Sequence, residues 1–225
     1  MTEDQLRSEV ATAVRLMEHH GLIDFSGHVS ARIPSTGEIL INHRASRRCE
    51  VTEGDIIKVD LEGKKLVGEG EPPSEVFIHT SIYKARPEVM AVAHIHPPVT
   101  TSLGIAGKPI VPVIYHGAIF ADGVPVYDDC RHVNTPERGE AMTKVMGSSR
   151  AVIIRGHGAT VAADSVKAVF FASVYLEDNA RQLFAAHSVG EPKVLRPEEL
   201  AEGPKIWHEF QFNKIWNYYV AKMSE

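Results

Sequence analysis

Short apolar runs in hairpin-like pairs, separated by segments of helical period, do most to limit the folds open to this chain. "ILIN" (39–42) is one strand-length run, and "DIIKVDLEGKKLV" (55–67) reads as strand, turn at Glu62-Gly63, strand. "FSGHVSARIP" (25–34) alternates with a period of two, and the "STGE" after it is a turn. "EVMAVAHIH" (88–96), "KPIVPVIY" (108–115) and "RAVIIRGHG" (150–158) read as further strands. Helical segments fall between these groups. In residues 3–20, Leu6, Val10, Val14 and Met17 recur at helical spacing, with Gly21 as a stop. Ser74 is an N-cap for a helix over 75–85, and 98–106 is a short helix. Thr135-Pro136 opens a helix over 135–147, and Asp164 caps the longest one, 164–190. After the break "LRPEELAEGP", a last aromatic-rich helix spans 205–223. No repeat or domain boundary interrupts the pattern. It predicts one α/β domain over 1–225, with a mainly antiparallel sheet covered by helices.

Charge and cysteine usage narrow the class of function. A net charge of −5 and a pI near 6.2 give no footprint for nucleic acid or a membrane surface. The one basic cluster, "HRASRR" (43–48), is short and has no interleaved aromatics. Apolar stretches such as "AVFFASVYL" (168–176) fall well short of the ~20 residues of a membrane span. The acidic, polar start is not a signal peptide, and two cysteines make no disulfide framework. A cytoplasmic enzyme is the expectation.

Histidine is the outlier, with 12 residues. His94 and His96 are two apart at the end of a strand, so they point to the same face. Pro97 and Pro98 end the run at once, which puts the pair at an edge or a pocket mouth. Two imidazoles on a rigid element need a third ligand to make an open catalytic metal site. "IIRGHGAT" offers His157, with glycines on both sides that permit close approach.

"PSEVFIHTSIYKARPEVMAVAHIHPPVTTSLG", with "RGHG" further on, resembles the signature of the class II aldolase/adducin family, over most of residues 5–190. Members are divalent-metal lyases and epimerases, with relatives that have lost catalysis. The resemblance implies an α/β/α sandwich with a central, mainly antiparallel sheet. It implies one divalent ion per subunit on His94, His96 and His157, most often zinc, with Mn2+, Co2+ or Fe2+ as options. It implies Glu75 as the acid/base, and commonly a homotetramer with active sites at subunit interfaces. Glu75 starts a helix, where the dipole favours its charged form. There it can ligate the empty metal or move a proton. Tyr115 lies where family aldolases have a proton-donating tyrosine, or else it is a strand-end tyrosine at an interface. His79, one helical turn after Glu75, reads as a second layer to the site or as a satisfied structural histidine.

The departures from the family pattern point to the substrate. Members that act on sugar phosphates have an Asn where this chain has His28, in "FSGHVS". They have a Ser-Gly where "INHRASRRCEV" has none, and a serine where Pro73 stands in "EPPSE". Proline has neither hydroxyl nor N–H, so the neutral phosphate cradle is largely missing. His28, His43, Arg44, Arg47 and Arg48 stand in its place, and arginine forks suit carboxylates. The substrate-binding candidates are these five with Ser26 and Ser74; for each arginine a solvated surface loop is the other reading. "GHVS" looks like a branch that includes decarboxylases of hydroxylated aromatic dicarboxylates. The expected function is a metal-dependent carbon–carbon lyase that decarboxylates a hydroxy-aromatic or enolic acid. Aldol cleavage of a non-phosphorylated hydroxy-keto acid or a sugar-type substrate is the alternative, and a non-catalytic adducin-like module is another. The C-terminal helix, with Trp207, Phe210, Ile215, Trp216 and Tyr219, packs on the sheet or a neighbouring subunit, or covers a neighbour's site.

Overall fold

The computed structural model describes residues Thr2 to Met223; Met1, Ser224 and Glu225, the ends of the expected 1–225 domain, lie outside the described residues. An eight-stranded sheet forms the middle layer, in the order β4-β3-β2-β1-β5-β8-β7-β6. Its strands are β1 (His28–Arg32), β2 (Ile39–Asn42), β3 (Ile56–Val59), β4 (Lys65–Val67), β5 (Ala91–Ile95), β6 (Val126–Tyr127), β7 (Ala151–Ile154) and β8 (Gly158–Ala163). All pairings are antiparallel except β6 with β7. The helices are α1 (Glu3–His19), α2 (Val76–Ala85), α3 (Pro98–Ile105), α4 (Pro136–Met146), α5 (Val166–Val189), α6 (Pro197–Leu200), α7 (Gly203–Ile206) and α8 (Glu209–Met223).

The period of two along each strand divides the core in two. Val29, Ala31, Leu40, Ala91, Ala93, Ile95 and Val161 pack with residues of α1 and α5. Ile39, Ile41, Val92, Val152 and Ile154 pack with residues of α2 and α4. The result is the expected α/β/α sandwich. The same parity puts His28, Ser30 and His94 on the α2 side, with Val92.

Several elements differ from the sequence reading. "KPIVPVIY" is not a strand, because Pro109 and Pro112 lack the N–H groups a ladder needs. Asn179 of α5 takes over: its Oδ1 accepts from Val113 N at 2.9 Å and its Nδ2 donates to Val111 O at 2.9 Å. Tyr115 opens a 3-10 turn that runs to Phe120. β6 and β8 are strands with no counterpart in the sequence reading. "GATVAA" of β8 carries small residues whose alternation is weak, yet it pairs with both β5 and β7. Ser165, not Asp164, caps α5, because its hydroxyl accepts from Ala168 N. Glu75, not Ser74, is the N-cap of α2, and its side chain makes no capping bond. The expected break 195–204 contains the single-turn α6, and the expected helix 205–223 breaks at Trp207-His208 before α8.

α8 packs on α5 rather than on the sheet. The ring of Phe170 meets Trp216 at 5.9 Å and Tyr219 at 5.7 Å, and Phe171 meets Phe212 at 5.2 Å. Trp207 donates Nε1–H to Asp164 at 3.0 Å and carries the Arg150 guanidinium 3.7 Å from its ring centre.

α5 also fixes the strand end that carries the two histidines. Buried Glu177 accepts from Val99 N at 3.1 Å, Thr100 N at 3.0 Å and Thr100 Oγ1 at 2.9 Å. These are unpaired donors in the first turn of α3, so Glu177 caps α3 from another helix. Glu177→Ala is expected to lower unfolding free energy by about 3 kcal/mol, because it strands several buried donors. Urea unfolding measures this; a change below about 1 kcal/mol would mean that water replaces the carboxylate at little cost.

Candidate metal centre

Three elements bring the centre together. β5 carries His94, and His96 follows directly after its last residue, with the Nε2 atoms 3.2 Å apart. His157 closes the three-residue turn between β7 and β8, where Gly156 takes φ +68° and Ile154 pairs with Gly158. One potential ligand atom from each of His94, His96 and His157 falls within 4.8 Å of the others. Glu75, at the start of α2, points its Oε2 into the group, 3.5 Å from His157 Nε2 and 3.7 Å from His94 Nε2. Its Oε1 accepts from Val133 N at 2.8 Å, which holds the carboxylate in place. Gly158 is required by close packing: a Cβ there would collide with Ile95 O and lie 2.8 Å from His96 Cδ2.

The donor set fits a divalent ion. A tetrahedral site with bonds of about 2.0 Å spaces its nitrogens roughly 3.3 Å apart, close to the His94–His96 separation. Burial holds His94 well below the ordinary imidazole range and lowers His96, so both offer lone pairs at neutral pH. Burial pushes the Glu75 carboxyl up, but the His157 hydrogen bond, the electrostatic pull of the nearby His94 and His157 rings and the Val133 N–H outweigh it and bring the group to about 2. Three imidazoles and one carboxylate are ligands for zinc or a similar ion.

His28 and His79 lie beside the triad. In the β1–β5 register His28 sits opposite His94, with ring centres 5.1 Å apart. His79 of α2 is fully buried and contacts His28 Nδ1 through its Nε2 at 2.6 Å. Burial lowers His79 to about 3 and holds His28 well below 6.5. Such rings cost stability in acid. Between the folded value and 6.5 the unfolded chain binds a proton that the folded chain does not. Stability is therefore complete above about 6.5 and falls by roughly 1.4 kcal/mol per unit for each ring as pH drops. Glu75 adds to the loss below 4.5, its ordinary value. The metal-free protein is expected to have a lower urea midpoint at pH 5 than at pH 7; equal midpoints would mean that these rings take protons without unfolding.

The remaining candidates separate. Arg48 is 5% exposed, donates Nε–H to Gly27 O at 3.0 Å, and also bonds the Arg44 and Ser46 carbonyls. It lies near enough to His28 to disfavour a charge on that ring. Arg47, its sequence neighbour, is in solvent and pairs with Glu50 at 2.7 Å. Arg44 and Ser74 are exposed. His43 contacts Asp55 at 3.2 Å. Ser26 donates its N–H to Asp24 at 2.8 Å. Tyr115 is 54% exposed and stacks edge-on with His116 rather than with the triad. Two residues at the site have no counterpart in the sequence reading. Asp24 Oδ1 lies 3.8 Å from His96 Nδ1, and exposed His132 stacks on His157 at 5.4 Å. "IDFSGH" and "CRHVN" carry no spacing signal for either; folding alone brings them in.

The sandwich and the histidine triad together define a class II aldolase-type domain. Residues 8–184 match the family model described as Class II Aldolase and Adducin N-terminal domain, and the chain belongs to this family. Its similarity reaches the decarboxylase-type branch. A 3,4-dihydroxyphthalate decarboxylase from Arthrobacter keyseri is 32% identical over 241 residues, covering 100% of this chain and 96% of its own length. A 5-deoxy-D-ribulose 1-phosphate aldolase from Bacillus thuringiensis serovar kurstaki is 26% identical, covering 86% of this chain and 91% of its own. The solved structure of L-fuculose 1-phosphate aldolase from Glaciozyma antarctica PI12 shares the fold. Its TM-score is 0.86 at 20% identity, covering 98% of this chain and 88% of that one. Among the described residues no helix is long and apolar enough to cross a membrane, and Cys49 and Cys130 are free.

Proposed function

We propose that this protein is a divalent-metal-dependent decarboxylase of a hydroxylated aromatic dicarboxylate, 3,4-dihydroxyphthalate or a near analogue. The named relatives, decarboxylase and aldolase, are both carbon–carbon lyases, and the chain is an enzyme of that class. One observation carries the finer reading. His28 stands beside the triad, and a buried arginine, Arg48, lies close enough to His28 to disfavour a charge on that ring, in place of the neutral phosphate cradle of the sugar-phosphate members. A substrate with a second carboxylate matches that cationic and donor-rich wall.

His94, His96 and His157 would hold the ion, with zinc as the first choice. When bound, it supplies Lewis-acid withdrawal of charge from the substrate oxygens it meets. The protein's own groups do the rest. Arg48 faces the carboxylate that is kept, together with His28. Glu75 rests as a carboxylate, so it first takes a proton, from a ring hydroxyl of the substrate. It returns that proton to the ring carbon that bears the leaving carboxylate. The carbon–carbon bond then breaks, its electron pair stays in the ring, and carbon dioxide leaves. The phenolate regains a proton from water, so the sum consumes one proton per carbon dioxide.

A homotetramer is the expected assembly, and Tyr115 and Phe25, which are 54% and 88% exposed, leave apolar surface for a subunit contact. Exposed Tyr115 also favours a second reading, aldol cleavage of a non-phosphorylated hydroxy-keto acid, with the tyrosine as proton donor across an interface.

A comparison of substrates tests the proposal. The metal-loaded protein is given 3,4-dihydroxyphthalate, 3,4-dihydroxybenzoate, a hydroxy-keto acid and 5-deoxyribulose 1-phosphate. Consumption of the dicarboxylate with the sugar phosphate untouched is expected. Aldehyde from either aldol substrate, with the dicarboxylate intact, would move the function to aldolase.

A further inference from the structure

Behind His28 stands a line of buried polar groups that the metal chemistry does not use. His79 Nδ1 lies 2.6 Å from Ser30 Oγ, and Ser30 Oγ lies 2.8 Å from the Tyr83 hydroxyl. With the His28–His79 contact, four side chains form one continuous line, and none is more than 4% exposed. The far end is fixed by Arg32, whose guanidinium bonds the Tyr83 carbonyl and sits 4.8 Å from the centre of its ring.

The order of protons along this line follows from counting. A neutral imidazole has one donor and one acceptor, and a hydroxyl has one donor. Among the described residues Ser30 is the one side-chain partner of the Tyr83 hydroxyl, and the Val92 backbone contact lowers the phenol's pKa, as an N–H donor does and an acceptor does not. If Ser30 donated to Tyr83, the phenol hydrogen would be buried with no acceptor, and orphaned buried donors are rare and costly. Tyr83 therefore donates to Ser30. The Ser30 hydrogen then has one place to go, His79 Nδ1. His79 must carry its proton on Nε2 and donate it to His28 Nδ1, and that leaves the His28 proton on Nε2.

We infer that the His79–Ser30–Tyr83 line fixes His28 as the Nε2–H tautomer, a neutral hydrogen-bond donor beside the metal triad that receives an anionic oxygen of the substrate. This rests on the proposed reading of His28 as a substrate contact. His28 Nε2 has no partner among the described residues and is not sealed from solvent. A protonated Nε2 has no lone pair. His28 is therefore neither a fourth metal ligand nor a base, despite its 5.1 Å approach to His94. Proton abstraction is left to Glu75. His79, Ser30 and Tyr83 are positioning residues, because they act through His28 and do not touch substrate.

Long-range 1H–15N correlation on the full-length, zinc-loaded protein tests this, because it reports each ring nitrogen as protonated or bare. His28 is expected with Nε2 protonated and Nδ1 bare, and the same in the metal-free protein. A proton on His28 Nδ1 would overturn the inference, whatever the enzyme's substrate, and this arm needs no variant. Ser30→Ala removes the donor that keeps His79 Nδ1 bare. In that variant His28 is expected to become a mixture of tautomers. The variant should also bind phthalate, a dicarboxylate probe, about tenfold more weakly, as for loss of one hydrogen bond to a charged group. A variant with an unchanged tautomer and unchanged phthalate affinity would also overturn it. Wild-type protein that holds the tautomer but does not bind phthalate would instead sink the carboxylate reading of the site, with the proton order intact.

Discussion

His94→Ala is expected to release the metal and to lower kcat/KM at least ~100-fold, since loss of a mere second-layer partner already costs 10–100-fold at such sites. His94 is the fully buried member of the triad, and its Nε2 is the atom that His96 and Glu75 both approach. Without it two imidazoles remain, one fewer than an open catalytic site uses. The fold should survive, because the alanine removes a buried polar ring whose hydrogen bond to the surrounding scaffold, with Thr160 Oγ1 at 3.5 Å, is weak. Metal analysis of purified wild-type and variant protein, with thermal melts of both metal-free forms, checks this. A variant that keeps a full equivalent of metal would show that the ion sits elsewhere.

Glu75→Gln should give the second large effect, with a different signature. The amide keeps the size of the side chain and its acceptor to Val133 N, so the site stays assembled. What is lost is the charge and the ability to carry a proton. A fall in kcat of about 10²–10⁴ is expected, the range for a general acid–base group, with metal content retained. Activity within tenfold of wild type would take the proton transfer away from Glu75 and leave Tyr115 or water as the donor. Loss of metal in the variant would instead make the carboxylate a ligand.

The two variants are expected to separate because the proposal gives the ion and the proton to different residues. How visible each was in the sequence also differs. His94 and His96 were legible because a strand has a period of two, and two residues' spacing fixes a shared face. His157 was legible through its flanking glycines, and Gly158 turns out to be demanded by contact with Ile95 and His96. The fold class followed from the paired short runs. β8 was not legible, because "GATVAA" identifies itself by what it pairs with and not by alternation. "KPIVPVIY" misled in the opposite sense. Its apolar residues have strand spacing, but its prolines remove ladder donors, and the segment is tied to Asn179, far along the chain.

Arg47 and Arg48 mark the limit most clearly. They are the same residue type at adjacent positions, so no composition or motif argument distinguishes them. One is in solvent with Glu50, and the other is buried against Gly27 O beside His28. Gly27 itself takes φ +93°, and a Cβ there would press on Ile23, so the chain turns tightly enough to present its carbonyl. The spacing of His79 from Glu75 was visible, but its partner Ser30 lies 49 residues away in sequence. Such pairings exist only in the fold.

The most direct test of a metal-dependent decarboxylase is carbon dioxide release from 3,4-dihydroxyphthalate by chelator-stripped protein, before and after one equivalent of zinc is restored. Release that is absent in the stripped protein, returns with zinc and stays absent in His94→Ala is the predicted result. An equal rate with and without metal, or no release under any loading, would contradict it.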